Sequence, residues 1–280
     1  MELKLVTNTS RNAVVELTDS GRYYTEKSYE IYVNGQKFMD SDKVITSLYG
    51  LIPDTEYEVS AVYDGNNIAP VTFKTDYEFV TLNVKEFGAF GDGVHDDTNA
   101  IQCAIMACPK DSRVLVPEGV YKISSIFLKS DLTLELAKGA VLSAFTEREK
   151  FPVLPGIIES YDDEKEYNLG SWEGNPIDTF SAIVCGINVK NVTITGEGIV
   201  DGNTSFDNWW KNCKERVIAW RPRLFFINHC ENVTMHGITV QNSPSWTLHT
   251  YLRNHLKFID VKIKNPSNSH NTDGLDPESC

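Results

Sequence analysis

The 280 residues, 41% of them hydrophobic, suffice for one large domain and one small one. A net charge of -13 argues against nucleic acid or an anionic membrane surface as partner, and an anionic ligand would need a local cluster of Arg or Lys. No stretch approaches the ~20 apolar residues of a membrane span, and Met1-Glu2-Leu3-Lys4-Leu5 is no secretory leader, which predicts a cytoplasmic protein, or a secreted one whose leader precedes these residues.

Residues 1–78 read as short strands between turns, the pattern of a small β-sandwich. Val14–Leu17, Tyr29–Val33 before Asn34-Gly35, and Tyr57–Val62 before Asp64-Gly65 supply strands and hairpin turns. The run Leu51-Ile52-Pro53-Asp54-Thr55-Glu56-Tyr57 resembles the tyrosine corner of fibronectin type III modules, although no strand-B Trp is evident. Such a module is a spacer or binding appendage, and it carries no catalytic group.

From residue 79 onward the character changes. Val84–Gly93 is a strand entering a Gly-rich turn, and Asp96, Asp97 and Thr98 open a helix with Ile101, Ala104, Ile105 and Cys108 at helical spacing. The two carboxylates there read as helix caps favoured by the dipole rather than as a catalytic pair. The six cysteines (Cys103, Cys108, Cys185, Cys213, Cys230, Cys280) form no CxxC pair and no Cys/His zinc spacing, so no metal or other cofactor is expected.

From Val114 the chain repeats itself. Asp131–Leu136, Asn191–Gly196, Asn232–Gly237 and Asn254–Ile259 each place a polar corner residue before an alternating strand, and Asn232 and Asn254 are 22 residues apart (254 minus 232). No long helix separates the strands. Short strands at this period predict an all-β fold in residues 79–280, a right-handed parallel β-helix whose rungs bury apolar side chains against one another. The helix after Asp97 would then cover the open first rung.

The last ten residues, Asn271-Thr272-Asp273-Gly274-Leu275-Asp276-Pro277-Glu278-Ser279-Cys280, concentrate the chemistry. If the run is a strand, alternation sends Asn271, Asp273 and Leu275 to one face. Within it, Asn271-Thr272-Asp273-Gly274-Leu275-Asp276 puts two carboxylates, a carboxamide and a hydroxyl on one tight stretch, which can hold a sugar and activate a water.

Taken together, Gly91-Asp92-Gly93 with Asp96-Asp97-Thr98, Pro117-Glu118-Gly119-Val120-Tyr121, Gly196–Gly202, Asn242-Ser243-Pro244-Ser245-Trp246 and Asn271–Asp276 resemble glycoside hydrolase family 28, the polygalacturonases. The resemblance covers about Val84 to Cys280, and its last motif is the specific one. A fibronectin-like module before the β-helix is similar to the exo-acting bacterial branch. The resemblance implies hydrolysis of α-1,4 bonds in polygalacturonate or oligogalacturonides with inversion, which requires one carboxylic acid at the leaving oxygen and a carboxylate that activates water on the opposite face. It gives Asp273 the water-activating role, and Asn271 and Asp276 the binding of substrate or the orienting of neighbours. The family's Asp pair after Gly, its Gly-His-Gly histidine and its Arg-x-Lys clamp do not occur in the seven residues after Asp273. The expectation is therefore an N-terminal part of such an enzyme, inactive alone, with its general acid outside this chain. Asp162-Asp163 is an alternative pair in a polar insertion.

Several other residues have two readings. Trp209-Trp210 could stack on sugars but more simply pack. Trp246 and His249, one rung before Asp273, line the cleft if they share its face, with His249 either a substrate contact or a structural hydrogen-bonding histidine. Arg221 and Arg223 could pair with a uronate carboxylate or be surface charge. His236 and His255 read as structural. The rival functions are a Ca²⁺-assisted pectate lyase, with Asp273, Asp276 and Glu278 as oxygen ligands, and a non-catalytic glycan-binding β-helix.

Overall fold

The computed structural model describes residues 1–19, 21–158, 168–252 and 254–278, and the chain divides into two compact units, Met1–Phe79 and Val80–Cys280. Asp162-Asp163 and Cys280 lie outside the described residues.

The first unit is built from two antiparallel sheets. Leu3–Asn8, Asn12–Leu17 and Ile45–Tyr49 form one; Gln36–Lys43, Tyr24–Val33, Glu56–Tyr63 and Asn66–Lys74 form the other. Alternation along the strands sends Val15, Leu17, Ile31, Leu48, Val59 and Ala61 into a common core, which makes a small β-sandwich. Asn34-Gly35 and Asp64-Gly65 turn with positive φ at both residues, the twist that tight hairpins favour. The Tyr57 hydroxyl accepts a 2.8 Å hydrogen bond from the Ile52 backbone N–H, the bond expected of a tyrosine corner.

The second unit is a parallel β-helix of three sheets. The first sheet stacks Thr81–Asn83, Arg113–Val116, Leu132–Leu136, Lys190–Gly196, Glu231–His236 and Asn254–Ile259. The second stacks Asp92–Asp96, Gly119–Ile123, Ala140–Ala144, Ile199–Asp201, Thr239–Gln241 and Lys262–Lys264. The third stacks Ile126–Phe127, Val184–Ile187, Phe225–Asn228, Leu248–Tyr251 and Leu275–Glu278. The first rung has two strands followed by the helix, and every later rung has three.

Register explains the interior. Val114, Leu134, Ile194, Met235 and Phe258 occupy successive rungs at the same position, so each buried side chain packs on the one above. Burial of that kind is worth about 1.5–3 kcal/mol per large aliphatic side chain. Backbones approach closely at Gly196, where a Cβ would stand 2.0 Å from the Leu136 carbonyl oxygen at φ 114°, so no other residue fits.

The corners are polar ladders. Asp131, Asn191, Asn232 and His255 all adopt left-handed φ of 55–56°. Asn191 Nδ2 donates to Asp131 Oδ1 at 2.9 Å and Asn232 Nδ2 to Asn191 Oδ1 at 3.2 Å. Glu231 pairs with Asn254, so the last corner is His255 rather than the expected Asn254, and the repeat is 23 residues (255 minus 232).

The α-helix Thr98–Ala107 closes the first rung, burying Ile101, Ala104 and Ile105 in the β-helix core. Its Gln102 side chain accepts from the Phe127 N–H at 2.7 Å and donates to the Phe127 carbonyl at 2.9 Å, completing the bonds of the edge strand Ile126–Phe127. The two acids at its start divide their work. Asp96 accepts from the Thr98 N–H as a cap should. Asp97, expected to cap as well, instead accepts from Phe90 N at 2.6 Å and Gly91 N at 3.0 Å and fastens the Gly-rich turn.

Two insertions, described over residues 145–158 with 168–183 and over 202–224, leave the β-helix between its second and third sheets. They carry Trp209 into the core and bury the outer row Cys185, Phe226 and His249 of the third sheet.

Candidate functional site

The Asn271-Thr272-Asp273-Gly274 run is a turn, and the strand begins only at Leu275. The alternation expected from Asn271 to Leu275 therefore does not hold: Asn271 adopts a left-handed φ of 55°. Two residues fix this turn to the previous rung. Asn265 Oδ1 accepts from Ser243 N at 2.9 Å, while its Nδ2 donates to Thr247 Oγ1 at 3.0 Å and the Thr272 carbonyl at 3.1 Å. Arg221 Nη1 donates to the Pro244 and His270 carbonyls at 2.7 and 2.9 Å, and its Nη2 to Asn271 Oδ1 at 2.9 Å. The Asn-Ser-Pro-x-Trp segment and the Asn-Thr-Asp turn are thus bound together by one guanidinium.

Asp273 emerges from this turn exposed. Its carbonyl accepts from Thr247 N at 2.9 Å, which holds the backbone. Its carboxylate accepts no hydrogen bond among the described residues and is left to solvent. Asp276, on the strand that follows, is half-buried and pairs in register with His249. Its Oδ2 is buried with no partner among the described residues. Burial, then the charge of Asp273, pushes the Asp276 carboxyl up to about 6. An exposed carboxylate and a half-buried carboxyl that holds its proton to higher pH than usual therefore stand three residues apart.

Beneath them lies a buried charged layer. Arg223 is 4% exposed, and its guanidinium donates to the Arg221 carbonyl, Ser245 Oγ and the Ser171 carbonyl at 3.1, 3.0 and 2.7 Å. Burial, then Arg221, pushes it down to about 9. Its charge sits 5.0 Å from the ring centres of both Trp172 and Trp246, which stack on each other at 4.4 Å. His249 Nε2 bonds Glu278 Oε2 at 2.8 Å. Glu278 also accepts from Ser171 Oγ at 2.9 Å and from the Gly174 N–H. Burial alone would raise the Glu278 carboxyl, but the bonds from His249, Gly174 and Ser171 hold it below its usual range.

This geometry corrects three expected substrate contacts, His249, Trp246 and Arg223. His249 is 0% exposed and Trp246 is 8% exposed: Trp172 of the insertion stacks on Trp246, and Ser171 of the same insertion bonds the Glu278 carboxylate that holds His249. They support the site from below. Arg223 is neither surface charge nor a clamp, since both its terminal nitrogens bond protein acceptors. Asn271 keeps its expected place beside Asp273, but its Oδ1 is taken by Arg221. Asp273 and Asp276 are brought together as expected, whereas Glu278 turns to His249 and Ser171. The three acids thus do not form the cation site of the lyase reading, and no group of three or more His, Cys, Asp or Glu among the described residues could hold a metal.

Other motifs resolve as structure. Trp209 packs edge-on against Phe151 and Phe180, and Trp210 Nε1 donates to the Ser243 carbonyl at 3.2 Å. His236 is buried against Thr195 Oγ1, and burial pushes it down to about 4. Asp201 accepts from Gln241 Nε2 and Asn242 Nδ2, a corner clamp. Ser171 and Asn265 were not singled out as site residues, and Glu278 entered only as an oxygen ligand of the lyase reading. Ser171 and Asn265 sit in no motif, and their roles depend on contacts far along the chain.

The sequence model of glycosyl hydrolases family 28 matches residues 111–280. The chain belongs to that family. It is 38% identical over 160 residues to an exo-poly-α-D-galacturonosidase of Dickeya chrysanthemi, covering 55% of this chain and 26% of the relative. A probable polygalacturonase of Vitis vinifera is 29% identical over 207 residues, 71% of this chain and 40% of that one. A family 28 exopolygalacturonase of Yersinia enterocolitica has the same fold, with a TM-score of 0.68 and 20% identity over 99% of this chain and 61% of that chain. The family 28 chain described here thus spans less than half the length of those two curated relatives.

Proposed function

We propose that the protein is a polygalacturonase-type glycoside hydrolase, cleaving α-1,4-galacturonosidic bonds of polygalacturonate or oligogalacturonides with inversion. The observation that carries this reading is the exposed Asp273 carboxylate, locked by Arg221 and Asn265 onto the side of the β-helix with its oxygens open to water. Asp273 takes a proton from the attacking water as that water adds to the anomeric carbon. Inversion also requires an acid at the leaving oxygen on the other face of the sugar. Asp276 stands beside the water-binding edge, where below about pH 6 its carboxyl holds a proton, donates a hydrogen bond and adds no second negative charge beside Asp273. Arg221 positions Asn271, whose Nδ2 remains available to a sugar hydroxyl.

Asp273→Asn in the full-length protein is expected to lower reducing-sugar release from polygalacturonate by about 10²–10⁴-fold with its melting temperature kept. Full activity in that variant would remove Asp273 from the chemistry.

We also infer that the first unit is a fibronectin type III-like appendage. The three-on-four antiparallel sheets and the Tyr57 corner bond support this. A cytoplasmic location remains our reading, supported by the free thiols of Cys103, Cys185 and Cys213, and cell fractionation tests it.

A further inference from the structure

The two insertions are joined to each other by backbone. Trp220 N donates to the Asp178 carbonyl at 3.0 Å and Phe180 N to the Trp220 carbonyl at 2.9 Å. Arg216 adds a 2.8 Å ion pair to Asp178 and an Nε bond to the Ile218 carbonyl. Ile218 is held at φ 69°, a costly conformation for a β-branched residue, and is 70% exposed. Between the insertions lies a pocket of about 440 Å³, within the size range of small-molecule sites.

Its walls include Trp172, Trp220, Lys214, Arg221, Arg223 and Asn271, so it opens beside the turn that carries Asp273. Three cations line it, and no carboxylate does among the described residues, in a chain of net charge -13. The terminal nitrogens of the two arginines are engaged by protein acceptors. Lys214 is exposed and has no hydrogen bond or ion pair among the described residues. A local cationic pocket against an unfavourable overall charge, with indole walls that suit the flat face of a sugar ring, is complementary to an anionic saccharide.

We propose that this pocket is a subsite for a uronate unit of the substrate chain, and that Lys214 reads its carboxylate. The assignment rests on the galacturonan reading above and names a residue outside the Asp273 turn. Lys214 contributes a mobile point charge, which suits one carboxylate whose sugar is already placed by Trp172 and Trp220.

The test uses the full-length protein with Lys214→Met and Lys214→Arg. With oligogalacturonate, Lys214→Met is expected to raise KM about tenfold, more than it changes kcat, and Lys214→Arg to restore most of the loss. Fully methyl-esterified oligomers should show no such difference between the variants. Binding of digalacturonate, followed by tryptophan fluorescence, gives a readout that needs no turnover. It should weaken about tenfold in Lys214→Met. Hydrolysis by all variants with unchanged KM and unchanged digalacturonate binding would overturn the subsite while leaving the galacturonase reading standing. Digalacturonate binding lost in Lys214→Met, without hydrolysis by the wild type, would keep the subsite and overturn that reading instead.

Discussion

Asp276 illustrates how a half-buried carboxyl records its neighbours. Its folded value of about 6 lies above the ordinary 3.8, so ionising it costs stability. That cost is absent below about pH 4 and develops as pH rises through about 6. Asp276→Asn removes the charge, and at pH 7 it is expected to stabilise the chain by about 1–2 kcal/mol, discounted for partial solvent access. At pH 4 the two proteins should unfold alike. Denaturation curves at the two pH values check this, and equal stability differences at both would contradict it. The same residue scale shows what a sequence can convey. Asp273 and Asp276 were legible because short-range spacing alone brings them together. The burial of His249 and Arg223 was not, since it depends on Ser171 and Trp172, which arrive from an insertion more than 50 residues upstream of Arg223.

Elements were read well where the pattern was local. The polar corners at Asp131, Asn191 and Asn232 and the apolar alternation after each announced stacked strands, and stacked strands are what form. The third strand of the later rungs was hidden because it is short, follows insertions of variable length, and carries apolar residues on both faces where an insertion covers it, as at Phe225-Phe226-Ile227. The helix was expected as a cover, and Gln102 supplies the physical detail: a side-chain amide standing in for the next strand. Gln102→Leu keeps the size but leaves the Phe127 N–H and carbonyl without their partner. It is expected to cost about 1–3 kcal/mol. Chemical denaturation measures that loss, and amide exchange at Phe127 should rise with it. A variant as stable as the wild type would mean solvent satisfies that edge equally well.

At the scale of the molecule, the β-helix acts as a rack. Rungs fix Asp273 and Asp276 at neighbouring heights, corner ladders keep the register, and the two insertions cover one face, leaving the Asp273 turn in the open. The rack is what composition and repeat foretold, while the specificity surface lies in the insertions, whose sequences carry no period. The central claim is that Asp273 directs water to the sugar from the face opposite the leaving group. The most direct measurement is proton NMR of the product formed by the full-length protein from oligogalacturonate, recorded before the new reducing end mutarotates. The account predicts that the β-anomer appears first, the inverted product of an α-linked bond. First appearance of the α-anomer, or of an unsaturated uronate, would contradict it.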